Sequence, residues 1–112
     1  MFTIPGIRGI EFGEGFAAAC QRGSQHKDRV VDALGHTATN RAGGINGGIS
    51  NGNPIVFRVA VKPTASIAQP QETFDFAAGE VRPLSAGGRH DVCFALRVPP
   101  VVEAMTALCL AQ

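Results

Sequence analysis

Apolar and polar residues alternate most clearly between Ile55 and Lys62, where the sequence is IVFRVAVK. Every second residue from Ile55 to Val61 is apolar, and Arg58 and Lys62 occupy alternate positions. Because successive side chains of a strand point to opposite faces, this pattern predicts a strand with Arg58 and Lys62 on one face. Pro63 cannot donate a backbone hydrogen bond and is expected to end the strand.

Weaker patterns predict the remaining elements. Further extended segments are expected at residues 4–12, 72–76, 81–84 and 92–98, with a turn at residues 77–80. The sequence FAAACQ, residues 16–21, favours a helix that Gly23 ends, and polar residues 22–36 favour a loop. Strands and helices are mixed without a regular βαβ order, so the sequence predicts an α+β fold.

The C-terminal region carries a helical pattern. Pro99 and Pro100 stand where a helix can begin, since proline is tolerated in the first turn. The apolar residues that follow have the spacing of one helical face and are Val101, Val102, Ala104, Met105, Leu108 and Cys109. We therefore expect an amphipathic helix with one buried face.

Residues 39–54, TNRAGGINGGISNGNP, include five glycines and four asparagines. Both residue types favour turns and positive φ, so no regular element is expected here. The segment lacks the GK[ST] sequence of a phosphate-binding P-loop. It is either a flexible linker or, because Ile45 and Ile49 interrupt the glycines, an ordered loop whose backbone lies against a flat ligand or another chain.

Composition limits the class of protein. The 112 residues form one domain at most and could form part of one. Charged residues make up 17%, against roughly 25% in an average soluble domain, which suggests that part of the surface is normally covered. The net charge of +1 gives no basic field for nucleic acid or a membrane surface. Without a long apolar run or a signal-peptide pattern, the chain is predicted to be soluble and cytoplasmic.

The cysteines and histidines of the sequence indicate neither a disulfide nor a metal site. An odd number of widely spaced cysteines favours reduced, buried thiols over disulfides or a zinc site, and these are Cys20, Cys93 and Cys109. The histidines lack the spacing of a metal-binding helix, and these are His26, His36 and His90. We expect no metal.

Two segments could bind phosphate groups. Residues 13–18, GEGFAA, fit the dinucleotide pattern G-x-G-x-x-A, but the predicted helix is short and no second parallel strand follows. At the end of the best strand, Lys62 is followed by the hydroxyls of Thr64 and Ser66. An ammonium group with short donors suits a phosphate, although an exposed strand end is the simpler interpretation.

The sequence LSAGGRHDVCFALR, residues 84–97, places Arg89, His90 and Asp91 side by side after two glycines. Charged clusters of this kind are commonly solvated loops. The alternative is a loop that carries a proton-handling group to a ligand. The residues alone leave both interpretations open.

Four segments in order resemble one family: IPGIRGIEFGEGF (4–16), TNRAGGINGGISNG (39–52), RVAVKPTASI (58–67) and GRHDVCFALRVPPVVEAM (88–105). They are similar to the C-terminal part of chorismate synthase, over essentially the whole chain. The resemblance implies conversion of 5-enolpyruvylshikimate 3-phosphate to chorismate and phosphate by a 1,4-anti elimination. It also implies reduced FMN as cofactor, with NADPH as a candidate reductant of the flavin. The expected assembly is a homotetramer with a β–α–β sandwich core.

The resemblance also implies roles for individual residues. Pro5, Gly6 and Gly47 would bring the backbone close to the flavin. The FMN phosphate would be held by Lys62, Pro63, Thr64, Ala65 and Ser66. Arg89 would lie against flavin and substrate, and Asp91 would sit near flavin N5 and help to pass on the substrate proton. Two interpretations of His90 stay open: an imidazole that tunes the neighbouring carboxylate, or a packed side chain.

The sequence departs from the family pattern in one major respect. The N-terminal region that carries two acid–base histidines and most substrate-binding arginines in the family has no counterpart here. Smaller departures are Gly6 where alanine is common, Ala65 where serine is frequent and Val92 where proline is common. We therefore expect a C-terminal fragment that needs the missing N-terminal part, with a non-catalytic FMN-binding or structural fragment as the alternative.

Overall fold

The computed structural model describes residues 1–111, which form two compact units divided between Val61 and Lys62. The first unit contains strands β1 (Ile7–Phe12), β2 (Ile45–Asn46), β3 (Ile49–Ser50) and β4 (Phe57–Val61), with a 3₁₀ helix at Gly15–Cys20. The second contains strands β5 (Gln71–Asp75) and β6 (Glu80–Leu84), a 3₁₀ helix at Phe94–Arg97 and helix α1 (Val98–Leu110). None of the helices in the described part of the chain is both long and apolar enough to cross a bilayer.

Strands β1 and β4 form an antiparallel pair in the first unit. Phe12 lies opposite Phe57, and their ring centroids are 5.6 Å apart. Along β4, Phe57 and Val59 are half-buried while Arg58 is exposed, so the alternation of the sequence is confirmed. Dinucleotide binding by a G-x-G-x-x-A sequence requires a parallel βαβ unit. Here β1 pairs in antiparallel fashion and is followed by a short 3₁₀ helix, so this requirement is not met.

The prediction that residues 39–54 hold no regular element was wrong. Strands β2 and β3 form a tight antiparallel hairpin, in which Ile45 pairs with Ser50. The turn consists of Gly47 and Gly48, with φ values of 58° and 82°. A two-residue hairpin turn of type I′ needs positive φ at both positions, which glycine adopts without strain. The glycine pair therefore makes the hairpin possible, where the sequence pattern was interpreted as preventing one.

Asp28 organises the polar loop between the first 3₁₀ helix and this hairpin. Its carboxylate accepts hydrogen bonds from the Thr39 hydroxyl at 2.7 Å and from the backbone N–H groups of Arg41 at 2.8 Å and Ala42 at 2.9 Å. Desolvation opposes ionisation, but the bonds from Ala42, Thr39 and Arg41 outweigh it and lower the pKa of Asp28. Because the folded-state pKa is depressed, this stabilisation is present at neutral pH and is lost as the pH falls through that pKa.

In the second unit, β5 and β6 form an antiparallel hairpin, which confirms the two predicted segments and the turn between them. Residues 92–98, however, are not extended as predicted. Phe94–Arg97 is a 3₁₀ helix, and Val98 is the first residue of α1. The prolines after Val98 fix φ near −65°, and their missing N–H groups fall in the first turn, where no intrahelical partner exists. The helical conformation therefore begins before the prolines.

The described residues bury few large side chains. The buried apolar residues are Ile4, Ile7 and Val98. Contrary to prediction, the apolar stripe of α1 is largely accessible, with Leu108 62% exposed. The three cysteines are free, and their predicted burial is wrong, because all three are exposed. The accessible surface is 8598 Å², whereas two separate globular proteins of half this mass would together expose about 7100 Å². The excess indicates that these units leave apolar surface uncovered.

We expect the isolated chain to self-associate, because uncovered apolar surface favours contact with other molecules. Light scattering should show a mean mass above that of the monomer that rises with concentration. Replacing exposed Leu108 by glutamine should reduce association, whereas Glu103→Gln on the same helix should leave it unchanged or increase it slightly. A monomer at all concentrations would contradict this expectation.

Candidate functional site

A cavity of about 310 Å³ in the second unit brings two of the predicted segments together. Its lining residues are Thr64, Ser66, Ile67, Ala68, Ala86, Gly88, His90, Asp91 and Val92. Thr64 and Ser66 follow the predicted phosphate-binding residue Lys62, and His90 and Asp91 belong to the Arg-His-Asp loop. We call this space the main cavity. Two segments that were interpreted separately from the sequence therefore share one concave surface.

Hydrogen bonds connect the two walls of the main cavity. The Thr64 hydroxyl donates to the backbone carbonyl of Val92 at 3.3 Å. The Ser85 hydroxyl donates to the carbonyl of Ala68, also at 3.3 Å. Each bond joins the segment after β4 to the segment after β6, so the two walls contact each other although most of their residues are exposed.

Gly88 bends the loop that leads to Arg89. Gly88 has a φ of 110°, which few other residues adopt. His90 Nε2 lies 3.0 Å from the carbonyl oxygen of Gly87. A carbonyl can only accept, so Nε2 carries the hydrogen, and in a neutral ring Nδ1 is the remaining acceptor. His90 thus closes the turn that presents Asp91.

A second, more open recess of about 670 Å³ adjoins the main cavity and shares His90, Asp91 and Val92 with it. Its other lining residues are Arg89, Cys93, Leu96 and Arg97. Arg97 Nε lies 3.3 Å from Asp91 Oδ2. Sequence reasoning missed Arg97, because the contact depends on the 3₁₀ helix that turns residue 97 back toward residue 91.

The remaining predicted phosphate-binding residues lie beside the main cavity in sequence but do not line it. Lys62 is half-buried, and Pro63 and Ala65 are exposed. Within residues 1–111, the ion pairs include neither Lys62 nor Arg89. Both cations are therefore available to an anionic ligand.

Pro5, Gly6 and Gly47 belong to the first unit. Pro5 and Gly6 lie in the turn before β1, where Gly6 has a φ of 90°. A Cβ atom added at Gly47 would meet no atom within 4 Å. Within this unit, glycine at position 47 is required by its backbone conformation, and the space beside it is open.

Several other titratable residues form local pairs. His26 Nδ1 lies 3.3 Å from Glu14 Oε2, and Arg41 Nη1 lies 2.9 Å from Glu14 Oε1. The His36 side chain pairs with Asp32, and this hydrogen bond is the main cause of the lowered pKa of Asp32. Among the described residues, no group of three or more histidine, cysteine, aspartate or glutamate side chains is arranged to hold a metal ion.

Comparison with known proteins identifies the family. The family model described as chorismate synthase matches residues 1–112. The chain belongs to the chorismate synthase family. The chorismate synthase of Chitinophaga pinensis is 60% identical over 112 residues, which are 100% of this chain and 34% of that protein. The chorismate synthase of Archaeoglobus fulgidus is 53% identical over 97% of this chain and 31% of its own length. The chain thus spans about a third of the length of these relatives.

A solved structure supports the same assignment. A crystal structure of chorismate synthase aligns with a TM-score of 0.54 and 44% identity, over 58% of this chain and 20% of that one. Mixed strands and a C-terminal helix are present, in agreement with the α+β prediction. Over the 58% of the chain that aligns, the fold is therefore that of a segment of a chorismate synthase.

Proposed function

We propose that the chain forms the flavin-binding, C-terminal part of a chorismate synthase, a lyase of aromatic amino acid biosynthesis. The reaction is the 1,4-anti elimination of phosphate from 5-enolpyruvylshikimate 3-phosphate, which gives chorismate. The observation that carries the proposal is the main cavity, which Thr64 and Ser66 line together with Asp91. Donors for a phosphate and an acceptor for a proton are the groups that this chemistry needs within one site.

The residues around the main cavity fit the phosphate end of FMN. This phosphate carries a charge of about −1.5 to −2, and Lys62 supplies a half-buried ammonium two residues before Thr64. The Ser66 hydroxyl can rotate to donate to a phosphate oxygen, and the Thr64 hydroxyl can do so in exchange for its bond to the Val92 carbonyl. Held by Lys62, Thr64 and Ser66, reduced FMN would supply electron density for the elimination. NADPH is a candidate reductant of the flavin.

Asp91 and Arg89 have different proposed roles toward the substrate. The Asp91 carboxylate borders both the main cavity and the second recess, so it can accept a proton from a ligand in either. The exposed Arg89 guanidinium can bind an anionic group of the ligand. Pro5, Gly6 and Gly47 would let the backbone lie against the flavin, which requires small or preshaped residues.

We propose further that the active enzyme needs the remaining two thirds of the protein length found in relatives. In the family that part supplies two acid–base histidines, and the complete enzyme is a homotetramer with a β–α–β sandwich core. Widespread apolar exposure in this chain favours such a covering partner. The same exposure is compatible with a second candidate, a non-catalytic fragment that folds and binds FMN weakly.

A chimera separates the two candidates. Residues 1–112 replace the matching third of the Chitinophaga pinensis enzyme, to which they are 60% identical. We expect the chimera to form chorismate with reduced FMN and the isolated chain to form none, because groups that act as a unit fail together. A folded but inactive chimera would favour the non-catalytic candidate, and turnover by the isolated chain would show that the remaining part is not needed.

Lys62→Ala should weaken FMN binding by the chimera about tenfold or more, since a charge-assisted hydrogen bond contributes roughly 1.5–3 kcal/mol. Lys27, the other lysine of the chain, is exposed and belongs to the first unit, so Lys27→Ala is the matched control. Fluorescence titration with FMN measures both dissociation constants. Equal constants for the two variants would place the phosphate elsewhere.

A further inference from the structure

Arg97 is the cation that contacts Asp91 in the described part of the chain, with Nε 3.3 Å from Oδ2. It is the last residue of the second 3₁₀ helix and directly precedes Val98, the first residue of α1. Val98 is one of the few buried apolar residues. The backbone of Arg97 is therefore fixed by a packed neighbour, whereas Asp91 lies in a loop.

We propose that Arg97 is a positioning residue that holds the Asp91 carboxylate at the border of the main cavity and the second recess. This inference rests on the proposed role of Asp91 as proton acceptor. A carboxylate acts as a base only within hydrogen-bond reach of its donor, so the side-chain rotamer of Asp91 has to be restricted. A guanidinium presented from the end of a helix restricts it from one side and leaves the other oxygen facing the ligand.

The contact between Arg97 and Asp91 also weakens an electrostatic repulsion within the main cavity. An ionised Asp91 shares the main cavity with the Thr64 and Ser66 hydroxyls, and it would repel a phosphate bound there. The positive charge of Arg97 offsets that repulsion at short range. Arg89, outside the ion pairs of residues 1–111, is left to the ligand. The two arginines of the recess thus have different tasks, one on the carboxylate and one on the anionic ligand.

Exposure makes the role separable from stability. The Arg97 side chain is 81% exposed and that of Asp91 is 36% exposed, and ion pairs this accessible contribute little to folding. Arg97→Gln should therefore leave the melting temperature of the isolated chain unchanged, while in the chimera kcat falls roughly ten- to a hundredfold, the usual effect of a misplaced catalytic group. Arg97→Lys, which keeps the charge, should recover part of the loss. Arg82→Gln is the control, since it removes another exposed arginine, one that pairs with Glu80 at 2.7 Å.

A double-mutant cycle tests whether Arg97 acts through Asp91. In an Asp91→Asn background, Arg97→Gln should cause no further loss of kcat, because the group that it positions is already inactive. Additive losses would show direct action on substrate or flavin and would overturn the inference. If Asp91→Asn lowers kcat but Arg97→Gln does not, the positioning role alone fails. If neither variant lowers kcat, the proposed role of Asp91 fails first.

The contact can also be measured without turnover. In dilute isolated chain labelled with ¹⁵N-arginine, the Nε–H resonance of Arg97 should shift on Asp91→Asn substitution, while that of Arg82 should not. An unchanged Arg97 resonance would show that the pair does not form in solution, which would overturn the inference whether or not the chimera is active.

Discussion

Replacing Asp91 by asparagine in the chimera is expected to lower kcat by roughly 10²–10⁴, the usual contribution of a positioned acid–base group. Asparagine keeps the size of the side chain and can still hydrogen-bond in the recess, but its amide has no basicity. Affinity for FMN should stay within a few fold of the unsubstituted chimera, because the proposed phosphate contacts come from the segment after β4. Rapid-quench measurement of chorismate formation with reduced FMN gives kcat, and flavin titration gives the affinity.

The exposed location of Asp91 makes the result interpretable. Its side chain is 36% exposed, so its replacement should cost the isolated chain little stability. Glu72→Gln, on the exposed strand β5, is a control for the loss of one carboxylate. Parallel loss of rate, flavin affinity and melting temperature would indicate a structural role. A near-normal kcat would return the Arg-His-Asp segment to the interpretation as a solvated loop.

The sequence predicted an element correctly where the spacing of its apolar residues and the length of the segment indicated the same structure. The alternation of IVFRVAVK identified β4, and the spacing of apolar residues after Pro99 identified α1. Predictions failed where conformation depends on single residues. Gly47 and Gly48 specify a hairpin turn through positive φ, and the prolines favour a helical start over the extended segment predicted at 92–98. In both cases the composition of the segment was less informative than the position of each glycine or proline.

The candidate site shows the same limit in three dimensions. Each of its two segments could be found by its residue types, a lysine with hydroxyls and an Arg-His-Asp sequence. Their placement around the main cavity could not, because the Thr64–Val92 hydrogen bond spans 28 positions. Arg97 was missed for a related reason. Its distance to Asp91 is set by a 3₁₀ helix, in a segment that the sequence pattern predicted to be extended. Burial was overestimated for the cysteines and for α1, because a periodic apolar face indicates a need for cover and does not show that the same chain provides it.

Gly13 occupies the tightest backbone junction in the first unit. Its N–H donates to the carbonyl of Val56 at 2.9 Å, and the N–H of Glu14 donates to the carbonyl of Arg41 at 2.8 Å. Gly13 has a φ of 55°, and an added Cβ would lie 1.9 Å from the Arg41 carbonyl oxygen. The end of β1, the loop before the hairpin and the segment leading into β4 therefore meet at a point where only glycine fits.

Gly13→Ala is expected to destabilise the first unit by about 3–5 kcal/mol, because the methyl group displaces backbone atoms in addition to the strain of positive φ. Gly52→Ala is the matched control. Gly52 also has a positive φ, of 84°, but an added Cβ meets nothing within 4 Å, so only the conformational strain of about 1–2 kcal/mol applies. Hydrogen exchange of β1 and β4 in the chimera, followed by mass spectrometry, reports local opening directly. Exchange in Gly13→Ala should be faster than in Gly52→Ala by a factor of about ten or more. Equal exchange in the two variants would mean that the three segments can separate at little cost, and that this junction does not hold the first unit together.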